Sequence, residues 1–136
     1  MDVDLETARL TLRRPRLSDT STLFEFLGDP AAMKYTQVEP SFRHCRRRIA
    51  AYERNRRRYG YAPWTVVRKE DRRIIGWGGL YHDPFDPGWG PEVGYFFDPD
   101  VWGRGLATEL VGASLDVADR VVRLPRVWAF ARVENM

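Results

Sequence analysis

Hydrophobic and polar positions alternate near the start of the chain. In the segment LETARLTLRRP, Leu10 and Leu12 are separated by polar residues, and this period of two predicts a β-strand. Pro15 has no N–H to donate to a neighbouring strand, so we expect the strand to end there.

In the next two stretches the hydrophobic residues recur every three or four positions, which predicts helices. The first is LSDTSTLFEFLGDP, in which Leu23, Phe24 and Leu27 share one face. Ser18 is its expected N-cap, and Gly28 is expected to end it.

The second helix is predicted over SFRHCRRRIAAYERNRRRYG and ends at Gly60. Its apolar stripe consists of Phe42, Cys45, Ile49 and Tyr52. A solvated face is the simplest interpretation of its arginines, which are Arg43, Arg46, Arg47, Arg54, Arg57 and Arg58. Because free cysteine behaves as a small hydrophobic residue, Cys45 is expected in the core, which argues against thiol catalysis.

Strand patterns dominate the middle of the chain. The segments YAPWTVVRK and RRIIGWGGLYHD predict two strands joined by the turn EDR, and hence a hairpin. The loop DPFDPGWGP leads to another strand at EVGYFFD. Residues 104 to about 122 are helical again, and PRVWAFARV predicts a last strand. The apolar side of that third helix is formed by Leu106, Leu110, Val117 and Val121.

The predicted order of elements is βααβββαβ. Such a chain folds into a mixed sheet with helices on its faces, so we expect an α/β or α+β layered protein. A length of 136 residues indicates a single domain, residues 1–136.

Composition narrows the classes of protein further. The chain is 43% hydrophobic, enough to bury a core, yet it has no apolar run long enough to span a membrane. The opening MDVDLETARL lacks the layout of a signal peptide, so we expect a cytoplasmic protein. The single cysteine excludes an internal disulfide and a cysteine-cluster zinc site, and no metal is expected. Nearly all basic residues are arginine, which reflects either a GC-rich genome or the binding of phosphate or carboxylate.

The segment WGRGLAT places two glycines where a strand gives way to a helix. The first amides of a helix have no partner within it, and the helix dipole makes that end weakly positive, so a phosphate binds well there. A glycine-rich turn without a ligand is the alternative. Two nucleotide patterns do not fit, because a P-loop needs Gly-Lys-Ser/Thr and a dinucleotide fingerprint needs a third small residue where Thr108 stands.

The longer stretch EVGYFFDPDVWGRGLATELV resembles the acetyl-CoA-binding motif of the GNAT acyltransferases. That motif reads Gln/Arg-x-x-Gly-x-Gly/Ala at the start of a helix, and Gly105 and Ala107 match its small residues. Trp102 departs from the usual Gln or Arg, but W-G-x-G-x-A-T-E is similar to the form found in the RimJ/RimL-like branch. The opening LETARLTLRRPRLSDTSTLFEFLGDPAAMKY also resembles that branch, and the likeness runs from about Leu5 to Asn135.

The resemblance implies the GNAT fold, with a mostly antiparallel central sheet flanked by helices, and acetyl-CoA as the co-substrate. An amine of a protein N-terminus or of a small molecule would attack the thioester directly. The resemblance also implies that the arginine helix borders the acceptor site, where its arginines would favour an acidic peptide or a carboxylate-bearing substrate. Backbone amides would hold the pyrophosphate, and the end of a strand would pair with the pantetheine arm. The residues assigned to the cofactor are Phe96, Phe97, Gly103, Arg104, Gly105, Leu106, Ala107, Thr108 and Asn135.

A general base would deprotonate the acceptor amine, and two residues are candidates. Glu92 is the first, because strand alternation places it on one face with Gly94 and Phe96. An exposed carboxylate at a strand end is the alternative. His82 is the second candidate, with Asp83 beside it, although a solvated histidine at a strand end is common. The aromatic residues expected either in the same cleft or in the core are Trp64, Trp77, Tyr81, Phe85 and Trp89.

The last residues, ARVENM, resemble the end of the fifth strand of the family, which normally continues with a helix and further strands. We therefore expect a C-terminally truncated fold with an unpaired sheet edge that favours a homodimer, with exchange of an element between chains as one form of it. The alternative is a fragment whose remainder was lost or is encoded separately. The general acid cannot be assigned. A non-catalytic CoA-binding or assembly module is the alternative function. Nucleic-acid binding through the arginine helix is the weakest hypothesis, because the net charge is only +3.

Overall fold

A computed structural model describes residues 4–34 and 36–129 of the chain. The described residues form one five-stranded sheet in which the strands follow chain order and each is antiparallel to its neighbour. The strands are β1 Leu5–Glu6, β2 Leu10–Arg13, β3 Trp64–Arg68, β4 Ile74–His82 and β5 Pro91–Phe97. The helices are α1 Thr20–Leu27, α2 Phe42–Tyr59 and α3 Leu106–Asp116.

The single strand predicted before Pro15 is two short strands, β1 and β2. The chain turns back between them, and the Thr7 hydroxyl accepts a hydrogen bond from the Leu10 amide at 3.1 Å. The predicted alternation is confirmed within β2, where Leu10 and Leu12 are fully buried.

Helix α1 begins at Thr20, after a 3₁₀ turn over Leu17–Asp19, so the prediction of Ser18 as N-cap is wrong. The residue that organises this turn is Asp19, whose carboxylate accepts from the Arg16 amide at 2.8 Å and from the Thr65 hydroxyl at 2.8 Å. These contacts tie the turn to β3. The helix ends at Gly28, as predicted.

Helix α2 is capped by Ser41, whose hydroxyl accepts from the His44 amide at 3.1 Å. It ends at Gly60, as expected. The predicted stripe is confirmed at three of its positions, Cys45, Ile49 and Tyr52, and wrong at Phe42, which is 44% exposed. Burial raises the pKa of the Cys45 thiol to about 11, so the prediction of a core cysteine holds.

Helix α3 continues into a π-helical turn over Val117–Val122. Leu106, Leu110 and Val117 are buried as predicted, whereas Val121 is 56% exposed. Val121 lies inside this π turn, whose wider period rotates it away from the face set by the 3.6-residue period.

The strand predicted at PRVWAFARV is represented by one parallel bridge between Trp128 and Glu92. Residues 130–136 lie outside the described part, so Asn135 and the last four residues of that predicted strand do too. The antiparallel sheet with one parallel bridge and flanking helices confirms the predicted fold class.

The sheet separates two hydrophobic clusters. Helix α3 covers one face, on which Leu10, Val66 and Leu110 are completely buried. Helices α1 and α2 cover the other face, on which Leu23 and Trp77 are buried. None of the helices in the described part of the chain is long and apolar enough to cross a membrane.

Candidate active site

A cleft of about 1300 Å³ runs along the outer edge of β5. The segment between β5 and α3 forms one end of it, and residues of α2 and β4 form the other. Every predicted cofactor residue that the structure describes lines this cleft. These residues are Phe96, Phe97, Gly103, Arg104, Gly105, Leu106, Ala107 and Thr108.

The cleft exists because β5 pairs with β4 along its whole length but with Trp128 only at its beginning, within the described residues. The Val93 amide donates to the Trp128 carbonyl at 2.8 Å and therefore points away from β4. Backbone groups of an antiparallel strand alternate in direction, so the N–H groups of Tyr95 and Phe97 also face away from β4, into the cleft. The backbone of Phe96 faces β4 instead.

The glycine turn, residues 103–105, forms the other wall at this end. Gly103 and Gly105 have φ angles of +76° and +77°, a conformation in which a side chain is strained. Gly105 is the N-cap of α3, so the amides of the first turn face the cleft without partners inside the helix. Trp102 ties the turn to β5, since its indole N–H donates to the Phe97 carbonyl at 2.9 Å.

The ion pair between Arg9 and Glu109, which the sequence did not reveal, holds the glycine turn in place. Arg9 donates to the Arg104 carbonyl at 2.8 Å and to the Glu109 carboxylate at 2.9 Å. The Thr7 hydroxyl donates to the same carboxylate. Burial alone would raise the pKa of Glu109, but these hydrogen bonds lower it, so the carboxylate is ionised at neutral pH.

Glu92 is 6% exposed and lies next to the cleft wall rather than on it. Its nearest polar partner in the cleft is the Tyr81 hydroxyl, 3.5 Å from Glu92 Oε1. Burial raises the pKa of Glu92 to about 7, and the negative charges of Asp83 and Asp86 contribute. A carboxyl group with such a pKa is suited to accept and release protons near neutral pH.

His82 lies away from the cleft, on the opposite face of β4 from Tyr81. Its ring stacks on Tyr59 with 3.9 Å between centroids, and it also lies near Tyr61 of the α3-side cluster. Burial and the positive charge of Arg58 lower the pKa of His82. The structure therefore does not bring the two predicted catalytic residues together.

The far end of the cleft is aromatic. Tyr52 of α2 packs edge-on against Trp77 at 5.0 Å and against Tyr81 at 5.4 Å, and all three line the cleft. Of the five aromatic residues considered from the sequence, Trp77 and Tyr81 are in the cleft wall, whereas Trp64 is buried and Phe85 and Trp89 are exposed.

Sequence reasoning missed Arg48, which also lines this end. It stands one helical turn before Tyr52 on α2, and its side chain pairs with the buried Glu39 at 3.2 Å. Because Arg48 and Tyr52 are four residues apart, the sequence could have indicated that they share one face of α2. The six arginines predicted to be solvated are exposed, whereas Arg56 is buried and donates to the Pro63 carbonyl at 2.9 Å.

The chain matches the model of a known protein family. The family model described as "Acetyltransferase (GNAT) domain" matches residues 9–136. The uncharacterized protein YkkB of Bacillus subtilis is 32% identical over 113 residues, which are 82% of this chain and 66% of YkkB.

Solved structures agree at the level of the fold. An acetyltransferase from Agrobacterium tumefaciens superposes with a TM-score of 0.81 at 24% identity, over 98% of this chain and 76% of that one. RimL, a ribosomal L7/L12 alpha-N-protein acetyltransferase solved in complex with coenzyme A, gives 0.78 at 18% identity, over 98% and 77%. The chain thus spans about two thirds to three quarters of the length of these proteins.

Proposed function

Because the chain belongs to the GNAT acetyltransferase family, we propose that it transfers the acetyl group of acetyl-CoA to a primary amine by direct attack. The observation that carries the proposal is the continuity of one cleft, from the amides of the glycine turn along β5 to Tyr81, behind which Glu92 lies 3.5 Å from the hydroxyl. In this arrangement the cofactor, the thioester and the base would lie next to one another along one edge of the sheet.

GNAT acetyltransferases use acetyl-CoA, and the RimL neighbour binds coenzyme A. In this chain the amides of residues 103–108 would bind the pyrophosphate, and Arg104 would add positive charge. Among the described residues, nothing lies within 4 Å of the position that a Cβ of Gly103 would take, which leaves space for such a group beside them. The N–H groups of Tyr95 and Phe97 would pair with the pantetheine arm, and one of them would stabilise the oxyanion that forms on the thioester carbonyl.

The acceptor is proposed to be a protein N-terminus or a small molecule. Two observations support an amine. Asp83 lines the acceptor end of the cleft, where it can pair with an ammonium group. The positive charge of Arg48 at the same end is largely balanced by Glu39, so it repels an incoming cation less. Self-association and a cytoplasmic location stay predictions of the sequence.

The test of cofactor binding is a calorimetric titration of the purified chain with acetyl-CoA. Gly105→Glu puts a side chain and a negative charge at the turn, and we expect it to abolish the micromolar binding of the unchanged chain. Gly112→Glu is the matched control, because Gly112 is exposed on α3 and nothing lies within 4 Å of its Cβ position. Equal binding by both variants would contradict the proposed phosphate site.

A second variant separates loss of the site from loss of the fold. Thr108→Glu adds a negative charge in the first turn of α3, where an acidic residue stabilises the helix. We expect it to weaken acetyl-CoA binding while the chain stays folded. Release of free CoA thiol in the presence of amines then tests turnover. Binding without turnover with any amine would favour the non-catalytic CoA-binding module.

A further inference from the structure

The buried position of Glu92 raises the question of how it would exchange protons with an acceptor in the cleft. Glu92 is 6% exposed, and the residues that follow it on β5 line the cleft while Glu92 does not. Tyr81, in contrast, lines the cleft and is only partly buried. Tyr81 is therefore the group that stands between the carboxylate and a bound acceptor.

The hydroxyl of Tyr81 is held at this place by its neighbours on β5. It donates to Glu92 Oε1 over 3.5 Å, a long hydrogen bond of the kind that shortens when a substrate completes the site. A Cβ at Gly94 would lie 2.9 Å from the same hydroxyl. The absence of a side chain at Gly94 thus leaves the space that the hydroxyl occupies, two residues along the strand from Glu92.

We propose that Tyr81 is the residue that contacts the acceptor amine, and that it relays a proton from the amine to Glu92. The proposal rests on the proposed function, since it assigns a role within that reaction. Tyr81 is then a catalytic residue, and Glu92 is the acceptor of the proton that Tyr81 passes on.

The proton and electron pairs balance as follows. An acceptor ammonium gives one proton to the Tyr81 oxygen while the phenolic proton of Tyr81 passes to the Glu92 carboxylate. The neutral amine attacks the thioester carbonyl and forms the C–N bond. The C–S bond breaks on collapse of the tetrahedral intermediate, and a second proton leaves the nitrogen with the departing sulfur as the CoA thiol. Glu92 returns its proton through Tyr81 to solvent after the products leave.

The surroundings of the pair favour this direction of transfer. Tyr52 and Arg48 of α2 face Tyr81, and Asp83 and Asp86, which follow β4, face Glu92. Burial and the charge of Glu92 raise the pKa of Tyr81 far above its usual range, so the phenol does not remain ionised. Tyr81 therefore passes the proton on, and the Glu92 carboxylate holds it.

The experiment measures the pH dependence of kcat/KM for acetylation of an amine acceptor by the unchanged chain, Tyr81→Phe, Glu92→Gln and the double variant. We expect activity to rise with pH near 7 in the unchanged chain. Each single variant should lower kcat/KM about 10²-fold and remove its rise with pH. The double variant should lower kcat/KM no more than either single variant does. Tyr59→Phe is the matched control, because it removes a phenolic hydroxyl on the other face of the sheet.

Three results of this kinetic experiment would overturn the relay. If kcat/KM still rises with pH in Tyr81→Phe but not in Glu92→Gln, the carboxylate acts without Tyr81. Additive losses in the double variant would mean that the two residues act separately. No turnover by the unchanged chain would overturn the proposed function, and the relay with it.

Infrared spectroscopy gives a readout that does not depend on turnover. The carboxyl band assigned through Glu92→Gln should titrate at a higher pH in Tyr81→Phe, because the tyrosine hydrogen bond lowers the pKa of Glu92 against the effect of burial. An unchanged midpoint would show that the hydrogen bond is absent in solution, and would also overturn the relay.

Discussion

Three carboxylates of this chain differ in their hydrogen-bond donors, and their protonation follows from that difference. Asp19 is 3% exposed and receives two hydrogen bonds from Arg13, at 2.8 and 2.9 Å. Burial alone would raise its pKa, but these bonds and those of the Arg16 amide and the Thr65 hydroxyl lower it. Glu109 behaves in the same way. Among the described residues Glu92 has one weak donor, the Tyr81 hydroxyl, so burial dominates and raises its pKa.

The raised pKa of Glu92 predicts a pH-dependent stability. The folded state holds the proton up to about pH 7, whereas the unfolded chain releases it near 4.5. The contribution of Glu92 to the free energy of unfolding is therefore largest below pH 4.5 and is lost as the pH rises to 7. Relative to Glu92→Gln, the unchanged chain should lose on the order of 3 kcal/mol between pH 4.5 and 8, measured by urea unfolding.

The exposed Glu25 of α1 supplies the control for that measurement. Glu25→Gln should follow the pH curve of the unchanged chain. Parallel curves for Glu92→Gln and the unchanged chain would mean that Glu92 has the same pKa in the folded and the unfolded chain, which would contradict the prediction.

Gly94 gives a second prediction at the scale of one residue. In Gly94→Ala the new methyl group would stand 2.9 Å from the Tyr81 hydroxyl, so the ring must shift away from Glu92. We expect kcat to fall by about 10-fold or more, because a displaced catalytic group loses much of its effect. Steady-state kinetics against Gly88→Ala, where nothing lies within 4 Å, tests this. Similar kcat values for the two variants would contradict the steric argument.

At the scale of elements, the sequence predicts well what depends on local period and on glycine. The hairpin of β3 and β4, the ends of α1 and α2, and the glycine turn before α3 all follow from patterns within a few residues. Ser18 was the wrong cap because Asp19 is held by donors from β2 and β3, which no local pattern contains. Val121 was wrong because a π-helical turn changes the period inside one helix.

The contact between the β1–β2 hairpin and α3 joins residues about 100 positions apart, so its effect is a prediction about elements. Glu109→Gln should weaken the ion pair with Arg9 and loosen the glycine turn that Arg9 holds through the Arg104 carbonyl. We expect a loss of about 1 kcal/mol in the free energy of unfolding, since Arg9 is half exposed, together with weaker acetyl-CoA binding.

Asp116→Asn is the matched control for the hairpin contact. Asp116 pairs with Arg120 on the same helix, and both side chains are largely exposed, so little change is expected. A loss of stability in Glu109→Gln without any loss of acetyl-CoA affinity would mean that the turn keeps its shape without the hairpin.

At the scale of the whole molecule, the cleft arises where β5 has a partner on one side and meets Trp128 only briefly on the other, within the described residues. The sequence located the cofactor end of this cleft, because the glycine turn is a continuous motif, and the match to the GNAT family confirms the resemblance on which it rested. It predicted the acceptor end only in part: Trp77 and Tyr81 were considered for the cleft or the core, but Arg48 was missed. Arg48 and Tyr52 of α2 reach that end only through tertiary packing, and Tyr52 was assigned to a core stripe.

The last prediction concerns the stability of the whole chain when the cleft is filled. A ligand that binds the folded state alone stabilises it, by about 2.7 kcal/mol at a concentration one hundred times its Kd. For a chain of this size that corresponds to a rise in Tm of roughly 8 °C, which calorimetry in saturating acetyl-CoA measures directly. Thr108→Glu should show a much smaller rise at the same concentration, while Gly112→Glu should match the unchanged chain. Because the cleft is bounded by β5, the glycine turn and α2 together, a rise of the same size in Thr108→Glu would mean that acetyl-CoA binds the chain somewhere other than this cleft.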